Sequence, residues 1–167
     1  MHCSECNSTK NRTMEQLIYD LMTTIGTAMA DVVRTIDEDC GQLEAVQTDD
    51  DQYPVAFPCV LIGTPDVQWE CLKGCAQRGR AALTIRLAFD CYDDTHLYSG
   101  TEQAAADRLR TASRLNRLLH GRIPDGCCSP MLRRRSRQYS LPNGIKVYEA
   151  EYSVGVVDDD HTDAVCT

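Results

Sequence analysis

No stretch of this sequence is apolar enough to cross a membrane as a helix. The longest apolar run, Val55 to Gly63, is interrupted by Pro58 and is about half of the ~20 residues a spanning helix needs. The first residues, Met1-His2-Cys3-Ser4-Glu5-Cys6-Asn7, lack the apolar core of a secretory signal, which predicts a soluble chain made in a cytoplasm. The glycosylation matches Asn7-Ser8-Thr9 and Asn11-Arg12-Thr13 then read as chance. Signatures of chemistry are also missing. There is no phosphate loop, no Gly-x-Gly-x-x-Gly, no Gly-x-Ser-x-Gly and no His-Glu-x-x-His. The four histidines, His2, His96, His120 and His161, are scattered and read as surface residues. Aromatic residues are few and lysine occurs only three times.

The 167 residues carry a net charge of −8 and 43% apolar residues, the composition of one ordinary globular domain. A chain of this length buries enough surface to fold without metal or disulfides. We expect a polar arm over 1–12, a single domain over 13–157 and an acidic tail over 158–167. Ten cysteines sit at 3, 6, 40, 59, 71, 75, 91, 127, 128 and 166. Free thiols are expected without an export signal, with Cys59 and Cys91 as small buried hydrophobes. Cys3, Cys6, Cys71 and Cys75, with His2, offer zinc-ligand chemistry, but the interval from 6 to 71 far exceeds that of a zinc ribbon. No metal and no cofactor is expected.

Hydrophobic spacing gives the element order. Thr13 to Gln16 reads as a capping box, followed by an amphipathic helix over 14–36. Residues 37–53 hold seven acids, including Asp49, Asp50 and Asp51. They lack the spacing of a calcium loop and predict a solvated acidic loop. Val55 to Ile62 is the first strand, at an edge or with a bulge because of Pro58. Val67 to Leu72 is a weaker strand, 73–79 a loop, and 80–92 a strand alternating Leu83, Ile85, Leu87, Phe89 and Cys91 against Thr84, Arg86, Ala88 and Asp90. A second helix over 101–120 begins near Ser99 or Thr101, ends at Gly121 and carries the stripe Ala105, Leu109, Ala112, Leu115 and Leu119. Strands over 131–139 and 145–157 form a hairpin through Asn143-Gly144. The order α-β-β-β-α-β-β predicts an α+β sandwich: a mainly antiparallel sheet of about five strands with two helices packed on one face.

Charge is segregated. Residues 78–137 hold twelve arginines and six acids, a net +6, and the remainder is net −14. Arginine is favoured for paired contacts because its planar fork meets carboxylates bidentately. Arg133, Arg135 and Arg137 read as one face of a strand with Arg134 opposite, and Arg110, Arg114 and Arg117 as a helix stripe. Such a strand is either a solvated edge that resists aggregation or an interface meeting acidic segments 37–51 and 158–163 of a neighbouring copy. RNA binding is a rival reading, weakened by the negative remainder and by the lack of interleaved aromatics. A small thiol- or zinc-dependent enzyme is the other rival.

The helix, the strand Phe57-Pro58-Cys59-Val60-Leu61-Ile62-Gly63, the loop with Trp69, the alternating strand Gly79 to Asp90, the Ala-rich helix 101–120 and the Asn143-Gly144 hairpin together resemble the tail-terminator (tail-completion) family of long-tailed bacteriophages, over residues 14–157. The resemblance implies a small α+β subunit, not an enzyme, acting in a virion. It implies a homo-oligomeric ring, as a hexamer, that ends tail-tube polymerisation and meets the head connector. Its partners would be further copies of itself, the major tail tube protein and the head-tail connector or head-completion protein, without membrane or sequence-specific nucleic acid. It would sit at the neck of the virion after assembly in the host cytoplasm. Interface residues are then expected at Arg133, Arg135, Arg137, Arg110, Arg114, Arg117, Asp49, Asp50 and Asp51.

Overall fold

A computed structural model of the chain describes residues 14–45, 55–72, 76–92 and 96–158. Thr13 of the capping box, Asp49 to Asp51, the arm over 1–12 and the tail beyond Asp158 lie outside the described residues. The first helix, α1 (Met14–Met29), buries Leu17, Leu21, Ile25 and Met29. It stops earlier than the periodicity predicts. The backbone N–H groups of Val32 and Val33 both return to the Met29 carbonyl, and the chain then enters β1 (Thr35–Glu38). Val32, Val33 and Ile36 keep a helical apolar spacing, but the β-branched side chains of Val32, Val33, Thr35 and Ile36 suit an extended backbone better. A short helix, α2 (Gln42–Ala45), follows.

The strands β2 (Cys59–Ile62), β3 (Asp66–Cys71), β4 (Gln77–Asp90), β5 (Leu132–Leu141) and β6 (Ile145–Asp158), with α3 (Glu102–Leu119) between β4 and β5, follow among the described residues. The sheet has six strands in the order β1-β2-β4-β6-β5, with β3 also on β4. Among the described residues only β1 with β2 is parallel, and every other strand pair is antiparallel. This is the α+β arrangement expected, with β1 and α2 inserted before the first predicted strand. β2 is shorter than expected and is not an edge. It lies between β1 and β4, and Pro58, joined to Phe57 by a cis bond, sits just before its first residue, where it removes no ladder donor. β4 starts at Gln77, inside the expected loop, because β3 pairs with it over residues 77–82. The hairpin turn before β6 places Gly144 at φ +74°, a conformation glycine adopts without Cβ strain.

The helices α1 and α3 cover one sheet face. Their Leu17, Leu21, Ile25, Met29, Leu115 and Leu119 pack with Val60, Ile62, Leu83, Ile85, Leu87 and the even-numbered positions of β6. Tyr152, fully buried there, donates its hydroxyl to Asn116 of α3, and burial pushes its pKa up to about 12. A smaller cluster of Leu43, Cys59, Leu61, Ala88, Ile145 and Val147 lies on the opposite face, so α2 covers one end of it. The second side of the β4 alternation is therefore not left to solvent: Arg86 and Ala88 on it are buried. Leu109, expected in the core stripe of α3, is instead 48% exposed. No helix among the described residues is long and apolar enough to cross a membrane.

Gly79 faces Trp69 across the β3–β4 pair. A Cβ there would sit 2.7 Å from both Trp69 Cε3 and Val67 Cγ1. Gly79→Val should therefore displace the single tryptophan and cost about 1–2 kcal/mol by overpacking. Tryptophan emission should move to longer wavelength as the half-exposed ring swings into water. An unchanged spectrum and an unchanged unfolding midpoint would contradict this packing.

Candidate interface on the open sheet face

Beyond α2, the sheet face turned away from α1 and α3 carries polar side chains from β3, β4, β5 and β6. Arg86 stands at its covered end, 9% exposed. Its guanidinium donates to Glu44 Oε1 at 2.5 Å and also to Asp39. Burial opposes the charge, but the Glu44 and Asp39 hydrogen bonds outweigh it and push the arginine pKa further up. The same bond to Arg86 holds the Glu44 carboxyl below its usual range. So the acidic stretch read as a solvated loop is in part an internal clamp. Asp39 and Glu44 tie the β1–α2 segment to the middle of β4.

Next along the face, Glu149 is 7% exposed and accepts from Arg137 Nε at 2.6 Å and from the Tyr139 hydroxyl at 3.0 Å. Burial raises its pKa, yet the Arg137 and Tyr139 bonds prevail and lower it overall. Arg137 also lies over the Tyr139 ring, 4.9 Å from its centroid. A carboxylate with a lowered native pKa adds stability above its ordinary pKa, and that stability is lost as pH falls through the native value. Arg137→Ser should lower stability at pH 7 and move the acid unfolding transition to higher pH. Denaturant melts between pH 7 and 3 read both. A variant with the wild-type acid limb would show that Arg137 does not hold Glu149.

The arginine row is not the simple alternation read from sequence. A β-bulge between Arg133 and Arg135 shifts the register. Arg133 is paired with Tyr152, on the helix-covered side. Arg135 is paired with Glu151 and Arg137 with Glu149, on the open side. Arg134, expected opposite them, donates to Ser153 Oγ at 2.7 Å and so shares that open side. Arg135 lies 3.7 Å from the half-exposed Glu151, a contact of little energetic weight. The helix stripe is partly spent on internal work. Arg114 donates to Asp31 at 2.8 Å and to the Ala28 carbonyl, joining α3 to α1, and Arg110 pairs with Asp107. Arg117 is exposed. A pair not foreseen joins Arg122 to both carboxylate oxygens of Asp20, at 2.6 and 2.7 Å. An arginine just past a helix C-cap, with Asp20 as one of the two acids of α1, was the available signal.

The described cysteines are free. Burial pushes Cys59 and Cys127 up to about 12 and raises Cys91, so these thiols stay protonated at neutral pH. Cys3, Cys6, Cys75 and His2 lie outside the described residues, and among the described ones no three His, Cys, Asp or Glu side chains gather as metal ligands.

Fold and face together define a class: a helix-backed antiparallel sheet whose other face is left polar and arginine-rich. No family model matches the sequence, and no curated protein matches it. Among solved structures the chain is similar to one chain of the virion of a native gene transfer agent (GTA) particle. Identity is 16% and the TM-score 0.47, over 87% of this chain and 91% of that one.

Proposed function

We propose that the chain is a non-enzymatic virion component that caps the phage tail tube as a homo-oligomeric ring of six, ending tube growth and joining the tail to the head connector. The observation that carries the reading is the open sheet face, which ends in an exposed, arginine-rich edge strand, β5. A ring requires two different patches on each copy. The face supplies a cationic one, and the acidic segment 37–51 supplies its complement for the next copy, although Asp39 and Glu44 are already engaged by Arg86. Arg135 on the open face and Arg133 on the other side of the same exposed edge strand are the residues of the expected set best placed for a contact along β5, because neither is committed to a buried partner. The element order that resembles tail terminators over residues 14–157 supports the same reading.

Capping is tested by adding the chain to polymerising tail tube protein from the same genome and measuring tube lengths by electron microscopy. Tubes of one fixed length, with density at one end, are expected. Tubes that keep growing as they do without the chain would overturn the proposal. An RNA-binding module would instead show nucleic-acid affinity falling steeply with salt.

A further inference from the structure

The far end of the open face holds a second arginine cluster that the ring contact does not use. Arg78 and Arg80 of β4 and Arg134 of β5 line a trough of about 640 Å³, walled by Gln68 and Glu70 of β3 and by Ser129 and Pro130. Gly155 forms part of its floor, where a Cβ would meet Ser129 Oγ at 2.8 Å. All three arginines are exposed, and among the described residues no carboxylate forms an ion pair with any of them, although Glu70 stands opposite Arg78 in the β3–β4 register. Elsewhere on this face the fold meets arginine with carboxylate, at Arg86, Arg135 and Arg137. Three guanidinium groups lining one trough with a single carboxylate, Glu70, leave an excess of positive charge that suits a polycarboxylate ligand.

The sequence places such a ligand beside the trough. β6 pairs Val157 with Arg78 and ends at Asp158, opposite Gln77. The next residues are Asp159-Asp160-His161-Thr162-Asp163. Arg80 lies three strand positions from Gln77, roughly 10 Å at the usual strand rise. Residues 159–167 can span up to ~30 Å, enough to reverse direction and reach it. We propose that the trough binds this acidic C-terminal segment of its own chain, Asp160 and Asp163 meeting Arg78, Arg80 and Arg134. Attachment one residue from the site gives the segment an effective concentration in the millimolar range, which favours the same chain over a neighbour. The contact would cover one end of the arginine face whether or not the chain forms a ring.

The test uses a fluorescein-labelled peptide of residues 157–167, with Cys166→Ser, and reads anisotropy under reducing conditions at low salt. Three full-length proteins are compared: the wild type, an Asp159→Asn/Asp160→Asn/Asp163→Asn variant that frees the trough, and the same variant carrying Arg78→Ser/Arg80→Ser/Arg134→Ser. The Asn variant should bind the peptide about tenfold more tightly than the wild type, whose own segment competes from its tethered position. Binding should vanish in the arginine-replaced protein and weaken as salt rises. Tryptophan emission and circular dichroism matching the wild type establish that each variant is folded. Equal binding to wild type and Asn variant, absence of binding to both, or binding that survives arginine replacement would overturn the proposal. A wild-type mass that rises with concentration and falls in the Asn variant would assign the segment to a neighbouring copy and overturn it as well.

Discussion

Arg86→Ala should cost about 3 kcal/mol, the penalty typical of removing one partner from a buried ion pair. Arg86 lies in the middle of the longest pairing of the sheet, opposite Glu149 on β6 and Leu61 on β2. Removing it leaves the Asp39 side chain, 14% exposed, without its cation, and leaves Glu44 without the partner that lowers its pKa. Arg86→Met fills the lost volume and should recover only part of the loss, because the carboxylates remain uncompensated. The sign with pH follows from Glu44. Its native pKa lies below the ordinary 4.5, so the wild type gains from the pair above that value and loses the gain as pH falls through the native pKa. The gap between wild type and variant should therefore narrow in acid. Denaturant unfolding at pH 7 and pH 4 measures both. A loss of under about 1 kcal/mol at pH 7 would mean the cluster behaves as a surface pair.

The largest effect on assembly is expected from Arg133→Ser/Arg135→Ser. Each close arginine–carboxylate pair at a partly desolvated interface contributes ~1.5 kcal/mol or more, so losing two should weaken each subunit contact by roughly a hundredfold. Neither arginine holds a buried carboxylate, so the variant should melt like the wild type. Arg137 is kept because its loss would strip Glu149 and confuse assembly with stability. Sedimentation at matched concentration reads the effect. A variant that sediments as the wild type would make these arginines a solvated edge.

Much of the fold was legible because its periodicities are clean. The alternation in β4, the stripe of α3 ending at Gly121 and the Asn143-Gly144 turn before β6 are local signals, and the structure keeps them except at Leu109, which the stripe placed in the core and the fold leaves exposed. The early stop of α1 was hidden because Val32, Val33 and Ile36 fall on helical spacing, and only their parallel pairing opportunity beside β2 makes them a turn and a strand. β1 and α2 were missed for a related reason: the acids of 37–44 look solvated until Arg86, more than forty residues away, is placed beneath them. The arginine row was found by composition and misassigned by face. A bulge inserts one residue into a strand and is invisible to a period-two reading, so Arg133 and Arg134 exchanged sides.

Native mass spectrometry of the wild-type chain across a salt series tests the central proposal most directly. At low salt the dominant species should have six times the 18.6 kDa chain mass, dissociating as salt screens the arginine–carboxylate contacts, and Arg133→Ser/Arg135→Ser should stay monomeric throughout. A wild type that remains a monomer at every salt concentration, or a ring of the same stability in the variant, would contradict it.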